Sequence, residues 1–195
     1  MLRVMAKSPP TADTAQRILD VAERLVQTRG FNGFSYADIA EALRVTKASL
    51  HYHFPSKADL GRRLIERYEA TFLAALRAIE AGGAAPREQL KRYARIYADV
   101  LRDDRMCLCG MLASDYATLP KAMKEEVRHF FDKNEQWLAV VLEQGRKAGS
   151  LGFKGPAVEL ARVIVGSLEG AMMLARSYGD ASRFDTAAER LIGSL

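Results

Sequence analysis

Several side chains within a run of seven residues have the types that contact nucleic acid. They are Lys47, Ser49, His51, Tyr52 and His53. Lys47 and Ser49 could hydrogen-bond with base edges, whereas Tyr52, His53 and the following Lys57 could contact the phosphate oxygens of a DNA backbone. These residue types therefore indicate noncovalent recognition of DNA.

Two short segments with helical apolar periodicity position these side chains. Residues 37–43 and 47–54 are separated by only three residues, a link that fits nothing but a tight corner between two helices. Ser35 and Thr46 have the types expected of helix N-caps, and Leu50 is the expected buried anchor of the second segment. The pattern predicts a helix-turn-helix, in which the second helix lies in the DNA major groove.

Longer helices are expected on both sides of this motif. The first starts at Thr11 or Asp13 and ends at Gly30, a typical C-terminal glycine. The preceding residues, 1–11, have no periodicity and are expected to form a frayed tail. A long helix is predicted over residues 56–81, and a Gly, Ala and Pro sequence follows it as a boundary.

We expect two domains in the 195 residues. Residues 1–57 hold the tail and the helix-turn-helix, and residues 58–195 form a C-terminal helical domain, with the 56–81 helix connecting them. β-branched residues never alternate over a strand-length run, so the predicted fold is all-α. The remaining helices are predicted over residues 87–102, 106–119, 120–148, 156–178 and 185–195.

The net charge of +5 is concentrated at the front of the chain. Residues 1–68 carry 11 Lys and Arg against 7 Asp and Glu, whereas residues 69–195 carry 18 against 17. This distribution suits phosphate contact, although an ordinary solvated surface can have it too. No apolar run of about 18 residues and no signal-peptide pattern is present, so we expect no membrane segment and a cytoplasmic location.

The segment 45–57, which reads VTKASLHYHFPSK, resembles the recognition-helix signature of TetR-family transcriptional regulators. Gly30-Phe31 and Asp38-Ile39-Ala40 match the family pattern as well, and the resemblance covers roughly residues 14–62. Ala48 stands where glycine is frequent and His51 where tyrosine is frequent. The resemblance implies about nine helices and a homodimeric repressor that binds double-stranded DNA at a palindromic operator.

The expected DNA-contacting residues follow from the motif and the resemblance together. They are Ser35, Tyr36, Thr46, Lys47, Ser49, His51, Tyr52, His53 and Lys57. The helices predicted over 156–178 and 185–195 have apolar faces that could pack internally or against the same pair of a second subunit. We favour the second arrangement, because one short recognition helix needs a two-fold partner to read a palindromic site.

Aromatic and methionine side chains predict an adaptable interior in the C-terminal domain. The expected ligand-binding residues are Phe72, Tyr93, Tyr97, Met111, Tyr116, Trp137 and Met173. Each of them could be an ordinary core residue, but together they could re-form around an apolar ligand. The resemblance implies an unidentified small-molecule effector bound among helices four to eight, and no cofactor is expected.

Cys107 is a candidate sensor of oxidants or electrophiles, because it resembles a reactive cysteine of some TetR-family members. If the sixth helix begins near Arg105, its N-terminus and Arg102 or Arg105 would lower the pKa of the thiol. The alternative is a buried structural thiol. A metal site is not expected, because no His or Cys cluster accompanies Cys107 and Cys109.

Two other classes of function remain as alternatives. An enzyme is not expected, because His51 and His53 point to different sides of one short helix and His129 is isolated. A helical adaptor without sequence-specific DNA binding is the second alternative. The retained Lys47 and Tyr52 speak against it, and salt-dependent binding to duplex DNA separates the two interpretations.

Overall fold

A computed structural model describes residues 12–195, and the tail expected over residues 1–11 lies outside them. The described residues are all-α, which confirms the predicted fold class, and they contain no strand. The helices, in chain order, are α1 Ala12–Arg29, α2 Tyr36–Leu43, α3 Lys47–His53, α4 Lys57–Ala81, α5 Pro86–Arg102, α6 Leu108–Ser114, α7 Lys121–Lys147, α8 Ala157–Tyr178 and α9 Ser182–Gly193.

The helix-turn-helix forms where the local signals place it. Ser35 and Asp38 make a capping box at the start of α2, and Arg44 ends that helix in a left-handed conformation with φ of 55°. Thr46 then accepts a hydrogen bond from the backbone N–H of Ser49 at 3.2 Å and caps α3. The three-residue link therefore consists of the C-cap Arg44, Val45 and the N-cap Thr46.

Two ion pairs join α1 to α4. Arg67 of α4 pairs with Asp20 and Glu23 of α1, each at 2.6 Å. Gly61 lies where α4 passes Phe31 and Met123 of α7 so closely that a β-carbon would overlap the methionine side chain. Because α4 packs on α1, α5 and α7, it belongs to both halves, and the division at residue 57 stays a prediction.

The second half is a helical bundle in which α7 packs along α8 and α8 packs against α9. Its helices start and end within a few residues of the predicted bounds, with α6 as the exception. The segment predicted over 106–119 is instead a seven-residue helix followed by a short 3₁₀ turn, Tyr116–Thr118. No helix of the described residues is long and apolar enough to cross a membrane.

Candidate DNA interface and effector site

One face of α3 is turned to solvent and the other into the core. Leu50 is completely buried, as predicted, whereas Tyr52 is 76% exposed. Lys47 and His51 are exposed as well, and Ser49 and His53 are half-buried. All the α3 residues predicted to contact DNA are therefore at least partly exposed to solvent.

The rings on α3 are held in defined positions. The Nδ1 atom of His51 lies 3.2 Å from the carbonyl oxygen of Pro55, and its ring centroid is 4.8 Å from that of Tyr36. Tyr52 packs edge-on against His53 at 5.1 Å. Fixed rings lose less conformational entropy on binding than mobile ones, so this face is preorganised for a ligand.

The prediction of DNA contact is wrong for Tyr36, whose ring is buried between α2 and α3. Its hydroxyl donates a hydrogen bond to the carbonyl oxygen of Phe54 at 2.8 Å. Burial, followed by the charge of Asp59, raises the pKa of Tyr36 to about 12. The side chain joins the start of α2 to the end of α3 and is not available to phosphate.

Lys57 is half-buried and also turns inward, and its phosphate contact stays a prediction. Its ammonium group donates to the carbonyl oxygen of Phe31 at 2.5 Å and to that of Phe34. The same Nζ atom lies 4.7 and 4.2 Å from the centroids of these two rings. Burial lowers the pKa of Lys57, so the two carbonyls and the two aromatic faces replace only part of the solvation that the ammonium group has in water.

Ser35 and Thr46 are exposed, but their hydroxyl groups serve the backbone. The Ser35 hydroxyl donates to the carboxylate of Asp38 at 2.7 Å and accepts from the N–H of Ala37 at 3.2 Å. The Thr46 hydroxyl caps α3. Their contact with DNA remains a prediction, since the helix starts that they cap are at the surface.

The interior of the C-terminal half brings four of the predicted ligand-binding residues together. Phe72 lies 6.0 Å from Tyr93 and 5.9 Å from Tyr97, measured between ring centroids, and Trp137 stacks on Tyr93 at 5.6 Å. The hydroxyl oxygens of Tyr93 and Tyr97 are 3.0 Å apart. We call Phe72, Tyr93, Tyr97 and Trp137 the aromatic cluster.

The other three predicted ligand-binding residues lie outside this cluster. Met173 is 59% exposed, so its assignment to the interior is wrong. The reason is that α8 is apolar on two faces, and sequence periodicity does not say which one the core covers. Tyr116 is half-buried beneath Lys124, whose ammonium lies 5.1 Å from its ring, and Met111 is half-buried on α6.

Glu169, which sequence reasoning missed, is a half-buried acid with one buried carboxylate oxygen at the edge of the interior. It lies on α8 with its carboxylate against α6, where Gly110 leaves room that a β-carbon would fill. Its Oε1 atom is buried and has no hydrogen-bond partner within the described residues. Burial raises the pKa of Glu169 to about 7. A lone acid between Leu168 and Gly170 in an apolar helix was the available signal.

Cys107 is buried, and the expected lowering of its pKa is wrong. The helix α6 begins at Leu108, and the Sγ atom of Cys107 accepts from the N–H of Gly110 at 3.4 Å. Arg102 pairs with Asp99 and Asp185, and Arg105 pairs with Asp103, so neither arginine forms an ion pair with the thiol. Burial and the neighbouring Glu169 carboxylate raise the pKa of Cys107 well above its ordinary value.

A set of contacts that sequence reasoning also missed holds the C-terminal end of α1. Arg176 of α8 donates to the carbonyl oxygens of Gln27 at 3.0 Å and Thr28 at 2.8 Å. The N–H of Met106 donates to the carbonyl of Gln27 at 3.1 Å, and the Asp115 carboxylate accepts from the N–H of Phe31 at 2.7 Å. We call these contacts the α1 clasp, because they join the first helix to α6 and α8. 

Two protein-family models match the chain. One, described as bacterial regulatory proteins of the tetR family, matches residues 18–64, and the other, described as a tetracyclin repressor-like C-terminal domain, matches residues 86–191. The chain belongs to the TetR family of transcriptional regulators. The TetR-family resemblance of residues 45–57 is thereby confirmed, and the matched families and relatives are DNA-binding regulators and not enzymes.

Individual TetR-family proteins are similar over nearly the whole chain. A regulator from Agrobacterium tumefaciens superposes with a TM-score of 0.91 at 34% identity, covering 94% of this chain and 97% of that chain. One from Legionella pneumophila gives a TM-score of 0.85 at 33% identity, covering 98% and 100%. The transcriptional repressor NemR of Escherichia coli is 26% identical over 173 residues, or 84% of each protein.

Proposed function

We propose that this TetR-family protein is a repressor that binds a palindromic operator as a homodimer and is released by a small molecule. The observation that carries the proposal is the α3 surface, where Tyr52 is 76% exposed beside the fully buried Leu50. A large exposed aromatic ring on a rigid helix has a cost in water, which contact with a DNA backbone would offset.

DNA contact is assigned to the exposed residues of α3. Lys47 and Ser49, in the first turn, are proposed to read base edges, and Tyr52 and His53 to hold phosphates. The half-sites of a dimer would then be spaced by about one helical turn of DNA. We retain residues 1–57 as the DNA-binding part and 58–195 as the effector and dimerisation part.

The homodimer is proposed to form through α8 and α9. Val163, Met173, Leu174 and Tyr178 are the exposed large apolar side chains of the central and C-terminal parts of α8. Gly166 and Gly170 lie between them with open space around their α-carbons, so another helix could approach closely. A second copy of α8 and α9 would cover this face in a four-helix interface.

The effector is proposed to bind at the aromatic cluster, among α4 to α8. The buried, raised-pKa environment of Cys107 argues for a noncovalent ligand over an electrophile as the main signal. The electrophile hypothesis for Cys107 is tested in parallel. A Cys107→Ser protein that still releases DNA on treatment with a thiol-reactive electrophile would contradict it.

Selection of bound sequences from a random duplex pool tests the proposed function. We expect an enriched inverted repeat, bound as two chains per duplex with an affinity that falls steeply with salt. Absence of any enriched site would favour the helical-adaptor alternative.

Light scattering tests the proposed homodimer and should give a dimer for the wild type and a monomer for Leu174→Glu. Ala122→Glu, a change at an exposed position of α7, is the control and should remain a dimer.

A further inference from the structure

The Glu169 carboxylate is only partly satisfied: the Cys107 thiol is a hydrogen-bond partner, but the Oε1 atom has none within the described residues. The carboxylate makes no ion pair within residues 12–195, and the buried Oε1 atom accepts no hydrogen bond. By contrast, Glu69, the nearest comparable acid of α4, is paired with Lys133 of α7 at 2.5 Å. A buried oxygen without a hydrogen bond opposes folding, so the Oε1 atom offers an acceptor position to an occupant from outside the chain.

The surroundings of Glu169 define the chemistry of that occupant. The hydroxyl groups of Tyr93 and Tyr97 both have raised pKa values. Burial is the main cause, and the charge of Glu169 contributes to both. Trp137 stacks on Tyr93, and its indole N–H is buried and also lacks a partner. The site thus combines an acid, several aromatic faces and one free hydrogen-bond donor.

We propose that Glu169 and the aromatic cluster bind an organic ammonium ion with an aromatic or apolar body. The ammonium N–H groups would donate to the Glu169 carboxylate, and the aromatic faces would attract the positive charge and cover the body of the ligand. An acceptor atom on the ligand would take the hydrogen bond of the Trp137 N–H. This inference names the effector class within the proposed function and rests on it only for the link to DNA release.

Binding requires the interior to open, because the rings now contact one another. Trp137 on α7 is only half-buried, so its side of the cluster is the part closest to solvent. A ligand that enters there would separate α6 from α8 at the point where Gly110 touches Glu169. A pocket of this type is a minor conformation that the ligand makes dominant.

The titratable groups around the Glu169 carboxylate come from four helices. They are Tyr68 and Glu69 of α4, Tyr93 and Tyr97 of α5, Cys107 and Cys109 at the start of α6, and Lys133 of α7, which is engaged by Glu69. Of these groups, only Glu169 has a pKa raised to about 7, by burial. Ammonium binding should therefore strengthen as pH rises from 6 to 8, while the ligand itself stays protonated.

Fluorescence of Trp137, the single tryptophan of the sequence, measures binding without DNA. The probes are 2-phenylethylamine, the uncharged 2-phenylethanol and the anionic 3-phenylpropanoate, at pH 8. We expect saturable quenching or a spectral shift with the amine, at least about tenfold tighter than with the alcohol, and no binding of the anion. Equal affinity for amine and alcohol, preference for the anion, or no saturable binding of the amine would overturn the proposal.

Substitutions assign the preference to Glu169. Glu169→Gln should reduce the amine affinity to that of the alcohol and remove its pH dependence, whereas Glu159→Gln, the same change at an exposed position of α8, should alter neither. Glu169→Met, which has similar volume and no polar atom, replaces the Gln variant if circular dichroism shows that variant unfolded. Unchanged amine affinity in a folded Glu169 variant would overturn the proposal.

A separate titration with operator DNA distinguishes this inference from the proposed function. If the protein binds the amine but never binds DNA, the proposed function fails and the ligand class stands. If it binds DNA but shows no preference for the amine, the ligand class fails and the repressor stands. Release of DNA by the amine in the wild type, and not in Glu169→Gln, supports both.

Discussion

Lys47 and Lys57 are the same residue type in opposite environments. Lys47 is exposed on α3, whereas the ammonium of Lys57 donates to the carbonyls of Phe31 and Phe34 and lies over both rings. The first lysine is free to act on a ligand, and the second joins the turn after α1 to the start of α4. The partners of its ammonium group therefore give Lys57 a structural role, whereas Lys47 remains a proposed DNA contact.

Replacing each lysine by alanine should affect different properties. Lys57→Ala should lower the free energy of unfolding by about 1.5–3 kcal/mol, because it removes charge-assisted hydrogen bonds from two carbonyls. Lys47→Ala should leave stability within about 0.5 kcal/mol and change the preference among DNA sites. Urea unfolding monitored by circular dichroism measures both, and equal destabilisation by the two changes would contradict the assignment.

Tyr52 should contribute to DNA affinity without contributing to sequence preference. Tyr52→Ala is expected to weaken binding to all duplexes by a similar factor, whereas Ser49→Ala should alter the ranking of sequences. Because Tyr52 is 76% exposed, its loss should leave stability nearly unchanged. Anisotropy titrations against the selected site and single-base variants test this, and a uniform effect from both changes would refute the division of roles.

Glu169 should make stability depend on pH. Burial raises its pKa from the ordinary 4.5 to about 7, so between these values the folded chain binds more protons than the unfolded chain. Stability from this group is therefore complete below about pH 4.5 and is lost as pH rises through 7, by up to about 3 kcal/mol. Relative to the wild type, Glu169→Gln should gain that amount between pH 5 and pH 8; a constant difference would contradict this.

At the scale of elements, α8 connects the interior to the DNA-binding half. Glu169 faces α6, and Arg176, about two turns further along the same helix, donates to the carbonyls of Gln27 and Thr28 at the end of α1. Asp115, after α6, holds the next turn of the chain. A change in the spacing of α6 and α8 would therefore act directly on the α1 clasp.

Arg176→Ala should uncouple ligand binding from DNA release. We expect 2-phenylethylamine to bind the variant as it binds the wild type, while its effect on operator affinity becomes several-fold smaller. Arg162→Ala is the control, because Arg162 lies on α8 like Arg176 but makes only a surface pair with Glu135 of α7; it should leave the effect intact. Equal release of DNA from the Arg176 variant and the wild type would exclude this route of coupling.

The helix-turn-helix could be predicted from sequence because its determinants are local. Capping side chains such as Ser35 and Thr46 and the three-residue link act within a few residues of one another. The orientations of Lys57, Met173 and Glu169 could not be predicted, because each depends on which helix packs against it from far along the chain. Sequence reasoning therefore predicted the exposed residues of α3 and missed the Glu169 carboxylate in the C-terminal half.

At the scale of the whole molecule, the chain has two unpartnered surfaces that belong together. The exposed apolar face of α8 is the proposed contact with a second copy of the chain, and the exposed residues of α3 are the proposed contact with DNA. Two-fold pairing through α8 and α9 would fix the separation of the two α3 helices. Operator binding should therefore require the correct separation of the two α3 helices as well as contacts from each of them.

The most direct test of that requirement is binding to the selected operator with its half-sites moved apart. Inserting 5 base pairs at the centre turns one half-site by about half a turn of DNA, away from its α3 helix. We predict that affinity falls at least about 100-fold, to the level of non-specific DNA. Affinity equal to that of the original operator would contradict a fixed dimer with two paired recognition helices.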